Sequence, residues 1–209
     1  MAKRSYQQNC SLAFALDLLG ERWTLLIIRD LLPGPRRFGT LHENLAGLGT
    51  NLLTTRLKEL QQAGLVEKVS QGLHEGYWQL TAYGRDLEPI VVALAKWGLH
   101  LAKDRFSQEN HWSPMWNYVA CRARFQPDKC QEASIIGQFD IDGYVYWLQI
   151  ESGDFTFSEG DHPKPDFKLM TQSEPFNQFL VGDYAFDDFV DKFVIGNSQQ
   201  FAHCIQCFI

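Results

Sequence analysis

Apolar residues recur at helical spacing along the first part of the chain. A first helix is predicted up to Gly20, and its apolar face consists of Leu12, Leu16 and Leu19. A second helix is predicted from about Trp23, in the stretch RWTLLIIRDLL. It ends at Pro33-Gly34-Pro35, because proline and glycine do not continue a helix. A short extended link, RRF, follows.

Two further helices are predicted on either side of a glycine turn. The stretch GTLHENLAG forms the third, with Leu41 and Leu45 facing inward. After the turn LAGLGT, Thr50 is placed to cap a fourth helix, which ends at Gly64. One narrow face of this helix carries Leu53, Leu57 and Leu60. The opposite face carries Asn51, Thr54, Thr55, Lys58 and Gln62.

Two strand-like runs, LVEKVS and YWQLT, follow the fourth helix and are joined by QGLHEG. The last three of these helices, the fourth of them preceded by a tight glycine turn, and then a hairpin form the order of a winged helix-turn-helix. The third and fourth helices are then the helix-turn-helix, and residues 71–76 are the tip of the wing.

The polar face of the fourth helix has two interpretations. It is either an ordinary solvated surface or the surface that reads base edges. Asn and Gln bond to adenine, Thr offers a hydroxyl or a methyl group, and Lys reaches guanine or phosphate. The winged context favours the interpretation that this face reads DNA. The nearby arginines and a lysine are then either phosphate contacts or ordinary solvated charges. The candidate DNA-binding residues are Arg36, Arg37, Thr50, Asn51, Thr54, Thr55, Arg56, Lys58, Gln62, Lys68 and His74.

A wide apolar stripe runs along residues 86–105. It consists of Leu87, Ile90, Leu94, Trp97 and Leu101, at steps of three and four. A helix packed only on its own small domain rarely needs so wide a stripe, so we expect a homodimer. The alternative is that the stripe belongs to the core of the same domain.

The pattern changes after residue 107 to short strands followed by amphipathic helices. ASIIGQFDIDGYVYWLQIESGDFTFSEG predicts three strands, with turns at Asp142-Gly143 and Gly153-Asp154. PDFKLMT predicts a fourth strand, and EPFNQFLVG and FDDFVDKFV predict helices. The fold class is therefore α+β, with domains over residues 1–107 and 112–209.

Aromatic residues of the second half are either a simple core or the lining of a small-molecule site. The candidate ligand contacts are Phe139, Trp147, Phe155, Phe157, Phe176 and Phe179. They suit a small apolar or aromatic effector.

The net charge of -6 is unevenly distributed. Residues 1–107 hold 13 Lys and Arg against 10 Asp and Glu, whereas residues 108–209 hold six against 15. Only the first half is therefore expected to meet a polyanion such as double-stranded DNA. No run approaches the roughly 20 apolar residues of a membrane span. No signal-peptide core follows MAKRSYQQNC, so we expect a cytoplasmic protein with no membrane partner and mostly reduced cysteines.

No catalytic motif stands out: the chain has no P-loop, GxGxxG, GxSxG or HExxH. The spacing of Cys204 and Cys207 suits a metal site, but a structural zinc needs four ligands and no second pair is evident. In a strand these two cysteines would face opposite sides. We expect no enzyme activity, no cofactor and no metal.

The first half resembles the HxlR-type family of bacterial transcriptional regulators, from about Cys10 to Leu101. The resemblance rests on GERWTLLIIRDL, GPRRF, LKELQQAGLV and LTAYGRDLEP. It implies a dimeric winged-helix repressor or activator on a pseudo-palindromic operator. Wings of the family usually carry Arg or Lys, whereas this wing offers only His74 and Glu75, so weak wing contacts are expected. Several relatives carry a sensing cysteine at the position of Cys10, which is here either a redox sensor of lowered pKa, close in sequence to Lys3 and Arg4, or an inert thiol.

The second half resembles the sterol-carrier-protein-like domain that is attached to some of these regulators. The resemblance rests on WNYVACRARF, IDGYVYWLQIESG and PDFKLMTQSEPFNQFLVG. It implies a hydrophobic tunnel that accepts an apolar or aromatic ligand. The predicted function is a DNA-binding regulator modulated by such a ligand or by thiol oxidation. The alternative is a hydrophobic carrier or enzyme that uses its N-terminal domain only to dimerise.

Overall fold

A computed structural model describes residues 5–70, 72–73, 75–105 and 110–208. The chain divides into two compact units, Met1–Val91 and Val92–Ile209. Among the described residues, no helix combines the length and the apolar character that a membrane span requires.

The first unit has the predicted order of helices and hairpin. Its elements are α1 (Ser11–Leu19), α2 (Thr24–Leu31), α3 (Phe38–Asn44), α4 (Thr50–Gln62), β1 (Val66–Lys68), β2 (Trp78–Leu80) and α5 (Ala82–Arg85), and the helix α6 (Glu88–Arg105) continues into the second unit. β1 and β2 pair antiparallel, with Val66 opposite Leu80. Arg36, in the extended link before α3, exchanges two 2.8 Å backbone hydrogen bonds with Trp78 and so adds a short bridge to this hairpin.

The core of the first unit is aliphatic and lies between α2, α3 and α4. Its fully buried members are Ile27, Ile28, Leu31, Leu41, Leu53 and Leu57. The predicted inward orientation of Leu41 and Leu45 is therefore confirmed. The apolar face predicted for α1 is not buried, because Leu12 is 65% exposed and Leu16 is 42% exposed.

The ends of α4 differ from the prediction at one terminus. Thr50 was expected to be the N-cap, but it is the first helical residue, and Gly49 takes the cap position without any side-chain hydrogen bond. At the other terminus Ala63 is the cap, and Gly64 follows it with a φ of +73°. The Leu65 N–H then donates to the Leu60 carbonyl at 2.9 Å, which closes the helix with the bond pattern of a Schellman motif.

The second unit is a five-stranded sheet with helices. Its further elements are α7 (Asn117–Arg124), β3 (Ser134–Ile141), β4 (Tyr144–Glu151), β5 (Asp154–Glu159), β6 (Phe167–Thr171), α8 (Ser173–Val181), α9 (Phe186–Phe193), β7 (Val194–Gly196) and α10 (Ser198–Gln206). The strand order is β5-β4-β3-β6-β7, and only β3 and β6 are parallel.

Two details of this sheet correct the sequence prediction. The turn at Asp142-Gly143 is present, with positive φ at both residues as a type I′ turn requires. The next turn is Ser152-Gly153 and not Gly153-Asp154, because Asp154 already pairs with Glu151. The short strand β7 was not predicted; it forms because the chain pairs with β6 as soon as α9 ends.

One face of the sheet carries a continuous aromatic core. Phe139 stacks on Tyr146, with ring centroids 5.0 Å apart, and Tyr146 stacks on Phe157 at 4.6 Å. Phe139 also meets the edge of Phe167. The ring of Phe167 lies over Gly137, where a Cβ atom would come within 2.2 Å of it. Gly137 therefore opens the space that this ring fills.

One pair of cysteines departs from the expectation of mostly reduced thiols. Cys130 and Cys207 form a disulfide, with Cα atoms 5.9 Å apart, a separation typical of such bonds. Sequence spacing did not suggest this pair, because 77 positions separate its members. Cys10, Cys121 and Cys204 are free. Cys204 and Cys207 flank the end of a helix, α10, and not a strand.

Candidate nucleic-acid interface

The outward surface of α4 is fixed by the leucines on its inner side. Leu53, Leu57 and Leu60 are buried almost completely. At about 100° per residue, the positions opposite them must face solvent. All five predicted polar positions are exposed: Asn51, Thr54, Thr55, Lys58 and Gln62. Thr50 is exposed at the start of the same helix.

The two threonines on this surface have already committed their hydroxyl protons. Thr54 Oγ1 donates to the Thr50 carbonyl at 2.8 Å, and Thr55 Oγ1 donates to the Asn51 carbonyl at 2.9 Å. Such bonds to the carbonyl four residues earlier are a known alternative for Ser and Thr in helices. What remains for an external partner is a γ-methyl group and an oxygen that accepts hydrogen bonds.

Arg56 was expected to contact phosphate, but the structure does not support that role. Its side chain is 15% exposed and lies between two carboxylates. Nη2 is 2.7 Å from Glu21, and Nη1 is 2.5 Å from Glu59. A guanidinium already paired with two anions offers little net charge to a third. Arg56 therefore joins α4 to the turn between α1 and α2.

The two arginines before α3 differ from each other. Arg36 is only 8% exposed, and its Nη1 donates to the Pro35 carbonyl at 3.0 Å. Its burial counts against the predicted phosphate contact. Arg37 is exposed, and its Nε donates to the hydroxyl of Tyr77 at 2.7 Å, with the guanidinium 5.0 Å from the tyrosine ring. Tyr77 thus holds Arg37 beside the base of the wing.

The wing is a short hairpin with few charged groups. Lys68 is exposed, and its Nζ lies 5.1 Å from the ring of Trp78, a cation–π arrangement. Near the tip, Leu73 is 98% exposed, and Glu75 is exposed as well. His74, a predicted contact, lies outside the described residues.

Two helices, α6 and α1, each expose three or more large apolar side chains within the single chain. On α6 the exposed members of the predicted stripe are Ile90, Leu94, Trp97 and Leu101, whereas Leu87, just before the helix, is half-buried. On α1 the exposed members are Leu12, Phe14 and Leu16. Burial in the chain's own core does not account for these side chains, so core packing alone does not explain the stripe.

The predicted ligand contacts of the second unit do not form one lining. Phe139, Phe155 and Phe157 are buried in the aromatic core on one face of the sheet. Trp147 alternates with the buried Tyr146 on β4, so it lies on the opposite face and contacts His162.

The remaining two candidates lie on α8. Phe179 stacks on Phe189 with centroids 4.2 Å apart, and Phe176 is buried near Trp112. The five candidate phenylalanines therefore each pack against another aromatic ring. Among the described residues, no three His, Cys, Asp or Glu side chains gather as a metal site would require.

The free cysteines fall into two classes. Burial raises the pKa of the Cys121 thiol to about 12, and it raises the pKa of Cys204 further. Both thiols are therefore protonated and inert near neutral pH. Cys10, immediately before α1, is exposed.

Sequence reasoning missed several residues that shape this surface. Glu59 is three positions after Arg56 and could have been recognised as a helical ion-pair partner. Glu21 is 35 positions away, and no local pattern indicates its contact with Arg56. The same holds for Tyr77, which is 40 positions from Arg37.

The first half of the chain is similar to proteins of a known family. A profile described as HxlR-like helix-turn-helix matches residues 18–106. The uncharacterized HTH-type transcriptional regulator Rv3095 of Mycobacterium tuberculosis is 44% identical over 90 residues, which span 42% of this chain and 56% of that protein. The uncharacterized HTH-type transcriptional regulator sll1512 of Synechocystis sp. is 34% identical over 91 residues, which span 43% of this chain and 67% of that protein.

A solved structure also matches this part of the chain. The quinone-bound YodB from B. subtilis is 32% identical, and the match covers 43% of this chain and 96% of that one with a TM-score of 0.38. The chain spans about half the length of the mycobacterial relative. The profile match and the Synechocystis relative confirm the HxlR-type resemblance of the first half, and the sterol-carrier-like resemblance of the second half stays a prediction.

The accessibility of the thiols yields a first prediction. In the native protein at pH 7 to 9, a maleimide should modify Cys10 quickly and leave Cys121 and Cys204 unmodified, because Cys204 is buried, Cys121 is half-buried, and both form thiolates only at much higher pH. Peptide mass spectrometry after timed quenching measures the three rates. In urea all three should react alike. Modification of Cys121 or Cys204 in the native protein as fast as Cys10 would contradict the described packing.

Proposed function

The chain belongs to the HxlR-like helix-turn-helix family, and from that premise we propose that it is a transcriptional regulator that binds double-stranded DNA as a homodimer. Its operator is pseudo-palindromic, and α4 enters the major groove of each half-site. The relatives named above are HTH-type transcriptional regulators, which supports this assignment. Repression is the proposed direction of control.

The observation that carries the proposal is the exposed polar surface of α4. Its five side chains share one side of a helix whose other side is locked into the core. Amide, hydroxyl, methyl and ammonium groups on one helix face match the chemistry of base edges in the major groove. A merely solvated helix surface has no need of so uniform a set of small and amide side chains.

Phosphate contacts come from basic residues that the fold leaves exposed. These are Lys58 on α4, Arg37 beside Tyr77, and Lys68 on β1. Arg36 and Arg56 are left out of this set because their guanidinium groups are buried or paired. The wing adds little charge, in line with Glu75 near its tip.

Dimerisation uses the exposed apolar residues of α6, and α1 adds to the same function. Ile90, Leu94 and Trp97 recur at helical spacing, and Trp97 is 64% exposed in the single chain. A twofold arrangement places two α4 helices about 34 Å apart, one turn of duplex DNA. Each subunit then meets one half-site.

The second unit is proposed to sense an effector. Residues 112–209 would form a sterol-carrier-like domain that takes a small apolar or aromatic ligand, and residues 1–107 would bind DNA and dimerise. Because the rings of Phe139, Phe157 and Phe179 are packed, such a ligand must part them to enter. The alternative, a hydrophobic carrier or enzyme that uses its N-terminal domain only for dimerisation, is not favoured, because the relatives named above are HTH-type transcriptional regulators. Oxidation of the exposed Cys10 is a second proposed input.

The DNA-binding proposal predicts a sequence-specific, salt-sensitive complex. Selection from a random duplex library should enrich one operator, and affinity for it should fall with salt at a log–log slope of about -7 if about eight phosphates are neutralised. Lys58→Ala should weaken binding to every sequence and reduce the slope by about one. Fluorescence anisotropy across a salt series measures both. Lys164→Ala, an equal charge change in the second unit, is the control and should change neither.

Two outcomes would contradict the DNA-binding proposal. One is a library from which no sequence is enriched. The other is a Lys58→Ala variant whose affinity and slope equal those of the Lys164→Ala control.

The dimer proposal predicts a mass change from one substitution. The intact protein should have twice the 24.0 kDa mass of one chain, and Leu94→Asp should yield the single chain because a charge cannot be buried at the centre of an apolar seam. Sedimentation or light scattering reads the mass directly. Lys96→Asp, on another face of α6, is the control and should remain a dimer. A Leu94→Asp protein that is still dimeric, or a wild-type monomer, refutes the seam.

A further inference from the structure

The hydrogen bonds of Thr54 and Thr55 limit what α4 can recognise. Each hydroxyl donates its one proton to a carbonyl of the preceding helical turn, at 2.8 and 2.9 Å. Neither threonine can therefore donate to the N7 or O6 acceptors of guanine or to the O4 of thymine while that bond persists. The methyl group of each threonine stays available, and both residues are exposed. In the major groove the apolar counterpart of such a methyl is the 5-methyl group of thymine.

The arginines that could read guanine are engaged elsewhere. Arginine and lysine are the commonest readers of guanine O6 and N7. Arg56 is the only arginine of α4, and it lies between the carboxylates of Glu21 and Glu59. The nearby Arg36 is buried. The surface of α4 therefore lacks an exposed guanidinium, and its one exposed cation, Lys58, is the phosphate contact of the proposed function.

The two amides of the same surface favour adenine. Asn51 and Gln62 are exposed on the side that also carries Thr55 and Lys58. An amide side chain bonds bidentately to adenine N6 and N7, and it has no such match on guanine, which presents two acceptors. Amides for adenine and methyl groups for thymine are complementary to the two halves of one base pair.

From these observations we propose that α4 reads A·T base pairs, with the γ-methyl groups of Thr54 and Thr55 packed against thymine 5-methyl groups and the amides of Asn51 and Gln62 on adenine. This inference rests on the proposed function, because it specifies the sequence that the α4 surface recognises. In this arrangement the threonine methyl groups make apolar contacts, and the amides make hydrogen bonds to the bases. The threonine hydroxyls form hydrogen bonds within the helix.

The test removes one methyl group from either side of the contact. The operator selected from a random library is synthesised with thymine replaced by deoxyuracil, which lacks only the 5-methyl group. Each synthetic operator carries this replacement at one position, made in both half-sites at once. Thr55→Ser removes the methyl group of the protein and keeps the hydroxyl bond to Asn51. Thr55→Val keeps the shape and methyl groups and removes the hydroxyl. Thr54 receives the same two substitutions. Thr156→Ser, on β5 of the second unit, is the control for methyl loss alone.

The expected result is a coupled loss. Loss of one buried methyl group is expected to weaken binding about fourfold in each half-site. Because the change is made in both half-sites, deoxyuracil at one or two thymines should weaken wild-type binding on the order of tenfold. A Thr→Ser variant at position 54 or 55 should lose a similar factor on the thymine operator and nothing further on the deoxyuracil operator. The corresponding Thr→Val variant should bind like the wild type. Thr156→Ser should bind like the wild type on both operators.

Other outcomes overturn the inference and leave the proposed function separate. If deoxyuracil has no effect at any position, the thymine methyl groups are not read. If Val loses affinity where Ser does not, the hydroxyls and not the methyl groups read the DNA. An operator that is G·C-rich at the α4 contacts also refutes the inference, although DNA binding then stands. If the library yields no enriched sequence at all, the proposed function itself fails.

Discussion

The rotation of α4 about its own axis is the constraint on which the rest depends. Leu53, Leu57 and Leu60 are buried almost completely, and burying one leucine is worth about 1.5–3 kcal/mol. Turning the helix by one residue would expose at least one of them and bury a polar neighbour without a partner. The same three leucines therefore determine the core of the first unit and the identity of the side chains that face outward.

The ion pairs of Arg56 show that the side chain that holds α4 in place is not one that reads DNA. A guanidinium between Glu21 and Glu59 fixes α4 to the turn between α1 and α2, and it withdraws the strongest reader of guanine from the surface. Thr54 and Thr55 commit their hydroxyl protons to the helix in the same manner. What faces outward is weakly charged, so affinity must come from phosphate contacts around the helix and selectivity from the helix itself.

The sequence predicted the elements of the first unit well because their signals are local: leucine spacing, proline stops and a glycine turn all act within one or two helical turns. It failed where a contact joins distant positions. Arg56 meets a carboxylate 35 positions away, and Cys130 meets a cysteine 77 positions away. The strand β7 needed β6 as its partner. The placement of Trp147 on the sheet face opposite the aromatic core depended on the register of β4. The sequence therefore predicted where the site residues lie, but it did not predict which of their charges are already paired within the chain.

An alanine scan around α4 tests the central claim most directly. Each exposed position from Asn51 to Gln62 is replaced singly, and affinity for the selected operator is measured at one salt concentration. The account predicts losses that follow the helical period, largest at Asn51, Thr55 and Lys58 and small on the flank at Leu52. Losses that ignore this period, or that are largest at Leu52, would show that another surface of the protein meets the DNA.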